Sequence, residues 1–210
     1  MAGIRTPLTI APVALTGRFV RLEPLTRGHV DALDRIAYEP SIWTWMPIAL
    51  TDRASLAAWV DEALAAEQAG TALPFATVLA ADNRVVGSTR YLNISARDGR
   101  MEIGGTWIDA AHQRSVVNTE AKLLMLQHAF ETLGATRIEF KTHANNEKSR
   151  RAIERIGGVF EGTHRKHMLH RDGSRRDSVW YSILDDEWRA VKVRLEGMVS
   201  NGKSFPTEQT

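Results

Sequence analysis

The stretch RMEIGGTWIDA at 100–110 alternates like a β-strand but carries two adjacent glycines in its middle. Glycine inside a strand marks a bulge or a close backbone approach. The chain continues through AHQRSVVNTEAK (111–122) into TEAKLLMLQHAFETLG (119–134), where Leu123, Leu126, Phe130 and Leu133 form one apolar helical stripe that stops at Gly134. ATRIEFKTHA (135–144) then reads as a strand. Strand, loop, helix and strand in that order make a crossover, and a crossover joins parallel neighbours. The two strands therefore lie side by side, with a bulge that splays them.

The rest of the chain adds antiparallel structure. RFVRLEPL (18–25), LPFATVLAA (73–81) and RVVGSTRYLNI (84–94) read as strands, and Asp98-Gly99 marks the hairpin into 100–110. TRGHVDALDRIAY (26–38) and TDRASLAAWVDEALAAEQAG (51–70) read as helices, the second with Thr51 as its cap and Gly70 as its stop. NNEKSRRAIERIGG (145–158) reads as a short helix, and VFEGTHRKHML and RRDSVWYSIL form a hairpin about Asp172-Gly173 before the closing helix DDEWRAVKVRLEGM. The expected fold is α/β of the α+β type. Its centre is a mixed, mostly antiparallel sheet, with the fourth and fifth strands parallel and splayed and helices on both faces. One domain is expected at 17–196, with an irregular arm at 1–16 and a flexible tail at 197–210.

Composition narrows the function. With 43% hydrophobic and 25% charged residues, the 210-residue chain can bury a sizeable core. Its formal net charge of +2 demands no polyanionic partner. The basic second half lacks the aromatic–basic interleaving of a nucleic-acid-binding sheet. The absence of cysteine excludes disulfides, Cys-ligated zinc and a thiol nucleophile. No apolar run spans a bilayer, and Pro7 and Pro12 interrupt the signal-like N-terminus, so a cytoplasmic protein is expected.

A splayed strand pair leaves backbone N–H and C=O groups free, and the following helix presents its positive end. An extended, amide-bearing ligand could pair with the open strand while its phosphates rest on the helix N-terminus. Pantetheine with its pyrophosphate is such a molecule. The residues GRFVRLEPL, IWTWMP, EIGGTWI, NTEAKLL and NNEKSRRAIERIGGVFEG resemble those of the GCN5-related N-acetyltransferases (GNAT), and within them the RimJ/RimL-like group. The likeness runs from about residue 17 to about residue 195, and the NNEKSRRAIERIGG motif is its most specific part.

That resemblance implies the GNAT fold, acetyl-CoA as cosubstrate, no metal, and a primary amine as acceptor, either a protein N-terminus or a small molecule. A homodimer rests on the resemblance alone. The implied acetyl-CoA residues are Gly104 and Gly105 on the strand, Gln113, Arg114, Ser115, Val116, Val117, Asn118 and Thr119 in the phosphate loop, and Asn146 and Ser149 beyond it. Relatives follow Gln/Arg-x-x-Gly-x-Gly/Ala in that loop. Here Gln113 fits, but Val116 and Asn118 replace the glycine positions, and Arg114 replaces a further common glycine. Direct attack of an amine on the thioester requires a base, N–H donors for the developing oxyanion and an acid for the thiolate. Glu102 is the first candidate base and His143 the second. Ser149 would serve the sulfur, and Trp43, Trp45 and Met46 would wall the acceptor pocket.

Plainer readings compete with these. Asn146 and Asn118 also serve as helix caps, with Glu120 complementing a helix dipole. Val116 in a left-handed conformation would be strained and would obstruct the pyrophosphate. The alternative function is therefore a GNAT-fold protein that is catalytically silent or takes another acyl group, acting as a binding or regulatory module. His164, His167 and His170 recur at intervals of three, and strand alternation is expected to keep them from converging. Arg150, Arg151, Arg155, Arg165, Lys166, Arg175 and Arg176 make either a solvated face or contacts to the nucleotide phosphates or an acidic substrate.

Overall fold

The computed structural model describes residues 7–202. One eight-stranded sheet organises them, in the order β1-β2-β3-β4-β5-β6-β8-β7. The strands are β1 (Leu15–Thr16), β2 (Val20–Pro24), β3 (Leu73–Leu79), β4 (Val85–Ser95), β5 (Arg100–Ile108), β6 (Arg137–His143), β7 (Val159–Leu169) and β8 (Arg175–Leu184). β5 and β6 are the parallel pair, and their neighbours run antiparallel. The helices are α1 (Val30–Leu33), α2 (Pro40–Trp43), α3 (Arg53–Gln68), α4 (Val116–Gln127), α5 (Glu147–Arg155) and α6 (Trp188–Ser200). The mixed sheet expected from the crossover is what forms.

Two cores lie against the two faces. Leu22, Phe75, Met101, Ile103, Ile138 and Tyr181 pack with Met125, Leu126 and Leu195 of α4 and α6. Leu33, Trp43, Leu56, Val60, Ala76 and Trp107 form the core under α1, α2 and α3. Met101 and Ile103 therefore face α4, while Trp107, of the same parity, faces the opposite side. The bulge at the glycine pair accounts for this change. Arg90 opposes Gly104 and Ser88 opposes Trp107, so β5 spends one extra residue, and Gly105 takes φ +57°.

The structure corrects several local expectations. Leu15–Thr16 of the arm forms a strand with β2, and Leu8 is buried, its N–H donating to Ala96 O. Residues 26–38 hold only the single-turn Arg27–His29 and the short α1. α3 begins after Asp52, whose carboxylate accepts Ser55 N at 2.7 Å, so Asp52 and not Thr51 caps it. α6 reaches Ser200 because Val199 is buried, which takes in the first residues of the expected tail. Residues 1–6 of the arm and 203–210 of the tail lie outside the described residues. Among the described residues, no helix is long and apolar enough to cross a membrane.

One long-range latch ties the first strands to α4. Glu120, which is buried, accepts the backbone N–H groups of Arg18, Phe19 and Val20 at 2.8, 2.6 and 2.7 Å. A Cβ on Gly17 would sit 2.5 Å from the Glu120 carboxyl carbon. GRFV and NTEA thus form a single structural feature, and Glu120 spends its charge on that turn instead of on its own helix.

Candidate functional site

The parallel ladder between β5 and β6 holds three rungs, Arg100–Arg137, Met101–Ile138 and Glu102–Glu139. Beyond Glu102 the two strands part. β6 keeps its pairing with β8 as far as His143–Ser178, while β5 follows β4. Gly104 and Gly105 stand at the start of the opening. A Cβ on Gly104 would lie 2.9 Å from Glu102 Oε1, so the glycine leaves that carboxylate oxygen its room.

The loop after β5 is built by side chains that substitute for glycine. Gln113 Nε2 donates to Ile108 O at 3.0 Å, and Ser115 Oγ donates to His112 O at 2.6 Å. The left-handed conformation falls on Arg114, at φ +58°. Ser115 then caps α4, accepting Val117 N at 3.3 Å, and Val116 is the first helical residue. The expected strain at Val116 is therefore absent. It is transferred to Arg114, where a non-glycine residue costs roughly 1–3 kcal/mol. The expected cap, Asn118, lies inside the first turn with its Oδ1 buried and unpartnered. Val117 is core, and Thr119 is held by Arg155 at 3.0 Å.

α5 closes the same side. Asn146 caps it, accepting Ser149 N at 3.1 Å, and Ser149 lies half-buried in the first turn. Lys148, absent from the expected site, donates to Gln113 Oε1. Burial, and then the Arg114 cation, lower the Lys148 pKa. Two cations, Arg114 and Lys148, thus lie near the start of α4, where Ser115 satisfies the Val117 amide. Lys148 was within reach of the sequence, since it sits beside Ser149 in the specific motif, but its contact with Gln113 required the folded loop.

The other face of the opening is polar. Glu102 is buried, and its Oε2 accepts Asn93 Nδ2 at 2.8 Å and lies 3.4 Å from Lys141 Nζ. Glu102, Lys141 and His143 share this face, whereas Ile138 and Phe140 turn toward α4. His143 Nδ1 accepts the Asn145 N–H at 3.0 Å, which places the ring proton on Nε2 in the neutral form. Burial, and then the Arg176 and His170 charges, lower its pKa, with Asp177 opposing them. In this arrangement Nδ1 is engaged by the Asn145 amide.

The three expected pocket residues have different positions. Trp43 is core: it is 1% exposed, its Nε1 donates to Ala37 O at 2.6 Å, and its ring lies 5.5 Å from that of Trp107. Met46 packs on the same core. Trp45 alone reaches the opening, its ring 4.9 Å from His143.

The histidine expectation also changes. Lys166 takes φ +52°, and the β7–β8 register shifts between His164 and Met168. The slip turns His164 and His167 to one face, with ring centroids 5.4 Å apart and both rings against Trp180. His170 contacts His143 instead, at 6.1 Å. Among the described residues no group of His, Asp and Glu has the arrangement to hold a metal ion.

Comparison with known proteins agrees with this geometry. Residues 20–159 match the acetyltransferase (GNAT) domain family. A GCN5-related N-acetyltransferase from Brucella melitensis superposes with TM-score 0.87 at 33% identity, covering 95% of this chain and 94% of its own. YdaF of Bacillus subtilis, assigned as a ribosomal N-acetyltransferase, is 33% identical over 111 residues, 53% of this chain and 60% of its own length. RimJ of Mycobacterium smegmatis, solved in complex with CoA-disulfide, shares the fold with TM-score 0.78 at 23% identity, over 89% of this chain and 95% of its own. The open strand pair, the capped loop and the family match together place this chain in the GNAT acetyltransferase family.

Proposed function

We propose that this enzyme transfers the acetyl group of acetyl-CoA to a primary amine by direct attack. The observation that carries the reading is the parting of β5 and β6 immediately after Glu102, with the Arg114–Lys148 loop on one side and a buried carboxylate on the other. The name of YdaF supports a protein N-terminal amine as the acceptor. The fold neighbour solved with a CoA derivative supports the cosubstrate.

The residues present suit acetyl-CoA. The amides of the α4 first turn, Arg114 and Lys148 would hold the pyrophosphate, and the unpaired edge of β5 would accept the pantetheine amides. When bound, acetyl-CoA supplies the thioester acetyl group. Glu102 takes the proton of the attacking amine on Oε1, while Asn93 and Lys141 hold Oε2. A β5 N–H near Gly104 or Gly105 would meet the oxyanion, and the Ser149 hydroxyl would donate to the departing CoA thiolate. His143 serves as a positioned donor. The helical conformation of Val116 removes the backbone strain, one of the two grounds for the catalytically silent reading.

Calorimetric titration with acetyl-CoA, paired with thiol release over peptides and small amines, tests the proposal. Saturable binding and amine-dependent release are expected. Binding without release for any amine would leave a binding module.

A further inference from the structure

Of the basic residues Arg150, Arg151, Arg155, Arg165, Lys166, Arg175 and Arg176, one is buried. Arg176 of β8 is 5% exposed, whereas Arg151, Arg165, Lys166 and Arg175 are exposed. Arg150 donates to Tyr181 Oη and Arg155 to Thr119. Arg176 donates to one neutral acceptor, Trp45 O at 3.3 Å, and its Nε is buried with no partner. Among the described residues it forms no ion pair within 4 Å, and the more distant Glu102 charge only partly opposes the burial that lowers its pKa. A guanidinium has five N–H donors, and a buried charge without a partner is costly.

Its surroundings are poor in acceptors. His143 offers its Nε2–H, Lys141 lies over the Trp180 ring at 5.0 Å, and Trp180 Nε1 is buried and unpartnered. The nearby carboxylates are engaged. Glu102 holds Asn93 and Lys141, Asp177 accepts Lys166 N at 2.6 Å, and Asp172 accepts Ser174 N at 2.9 Å while facing His170. This cationic strip lies on the Glu102 face of the sheet, because Val179, Tyr181 and Ile183 alternate with it toward α4. A group bound there belongs to the acceptor.

We infer that the acceptor amine carries a carboxylate, which Arg176 receives at the far end of the strip while the amine meets Glu102. The inference rests on the acetyltransferase reading and specifies its substrate class. The carboxylate could come from an acidic residue near a protein N-terminus or from a free amino acid. Both present the same chemistry to the guanidinium.

The test uses twin peptides beginning Ala-Glu and Ala-Gln, with free glutamate and glutamine as a second pair. Their binding to the full chain is followed by tryptophan fluorescence, and their acetylation by thiol release. The acidic member of at least one pair should bind about tenfold tighter, as a charge-assisted contact provides. Preference confined to the peptide pair identifies a protein terminus, and preference confined to the free pair identifies a small acceptor. Arg176→Gln should lose the preference and Arg176→Lys should keep part of it, with acetyl-CoA titration reporting that each variant is folded. Equal binding of both members of each pair by the unaltered protein overturns the inference, as does a preference that survives in Arg176→Gln. An acidic preference without thiol release leaves the anion site standing and removes the transferase reading instead.

Discussion

Lys141 Nζ stands 3.4 Å from Glu102 Oε2, the oxygen that also accepts Asn93 Nδ2. Both partners act on Oε2, while Oε1 lies beside Gly104, where a Cβ would come within 2.9 Å of it. On the proposed base role of Glu102, its removal should cost the usual factor for lost general-base catalysis. Glu102→Gln is expected to lower kcat by roughly 10²–10⁴. Acetyl-CoA binding should persist in calorimetry, because the phosphate loop is untouched. A kcat within a factor of two of the parent would remove Glu102 from the chemistry.

Asn93 itself occupies a left-handed conformation, φ +49°, that asparagine tolerates better than most residues. Asn93→Ala loses both that tolerance and the hydrogen bond to a charged group. A stability loss of about 2 kcal/mol follows. The kcat should fall at least tenfold with little change in the KM for acetyl-CoA. Denaturant melts and steady-state kinetics read the two effects separately.

The loop makes an asymmetric prediction. Arg114→Gly relieves a left-handed non-glycine residue and should stabilise the chain by about 1 kcal/mol. The same change removes a cation facing Lys148 and should weaken acetyl-CoA binding several-fold. Val116→Gly gives no such relief, because Val116 is already helical and its side chain packs on the core. It is expected to destabilise by about 1 kcal/mol and leave binding unimproved. Tighter binding by Val116→Gly would show that the side chain obstructs the site.

Lys122 gives the clearest pH dependence. Its Nζ is buried in α4, donating to Thr89 Oγ1 at 3.0 Å and Thr106 Oγ1 at 2.7 Å, with no carboxylate beside it. Burial lowers its pKa from 10.5 to about 7. Between those values the unfolded chain binds more protons than the folded one, so stability rises with pH across this window. The slope approaches roughly 1.4 kcal/mol per pH unit at its steepest. It vanishes below about pH 7, where both states are charged. Urea melts at pH 7, 8 and 9 should show the rise, and Lys122→Met should flatten it.

The architecture was legible wherever the sequence named a backbone event. The Gly104-Gly105 pair and the crossover gave the splayed parallel strands, and Asp98-Gly99 gave a hairpin whose Gly99 sits at φ +66°. Cap positions were harder to assign. Thr51 and Asp52 are both competent caps, as are Ser115 and Asn118, and the choice depends on where the chain turns. Alternation failed for His164 and His167 because one left-handed residue, Lys166, reverses parity and no glycine announces it. Asn93 and Lys148 escaped because their roles depend on register and on contacts between distant segments, and Arg176 stood among seven basic residues until the fold showed that it is the buried one.

The Glu120 latch has a consequence for the order in which the protein can mature. The amides of Arg18, Phe19 and Val20 precede their carboxylate by 102, 101 and 100 residues. During synthesis the opening turn leaves the ribosome long before its anchor exists. It can be fixed only after the glycine-broken strand and the phosphate loop have emerged behind it. Closing that turn is therefore a late event, and it locks the start of the chain one helical turn from the loop that opens α4.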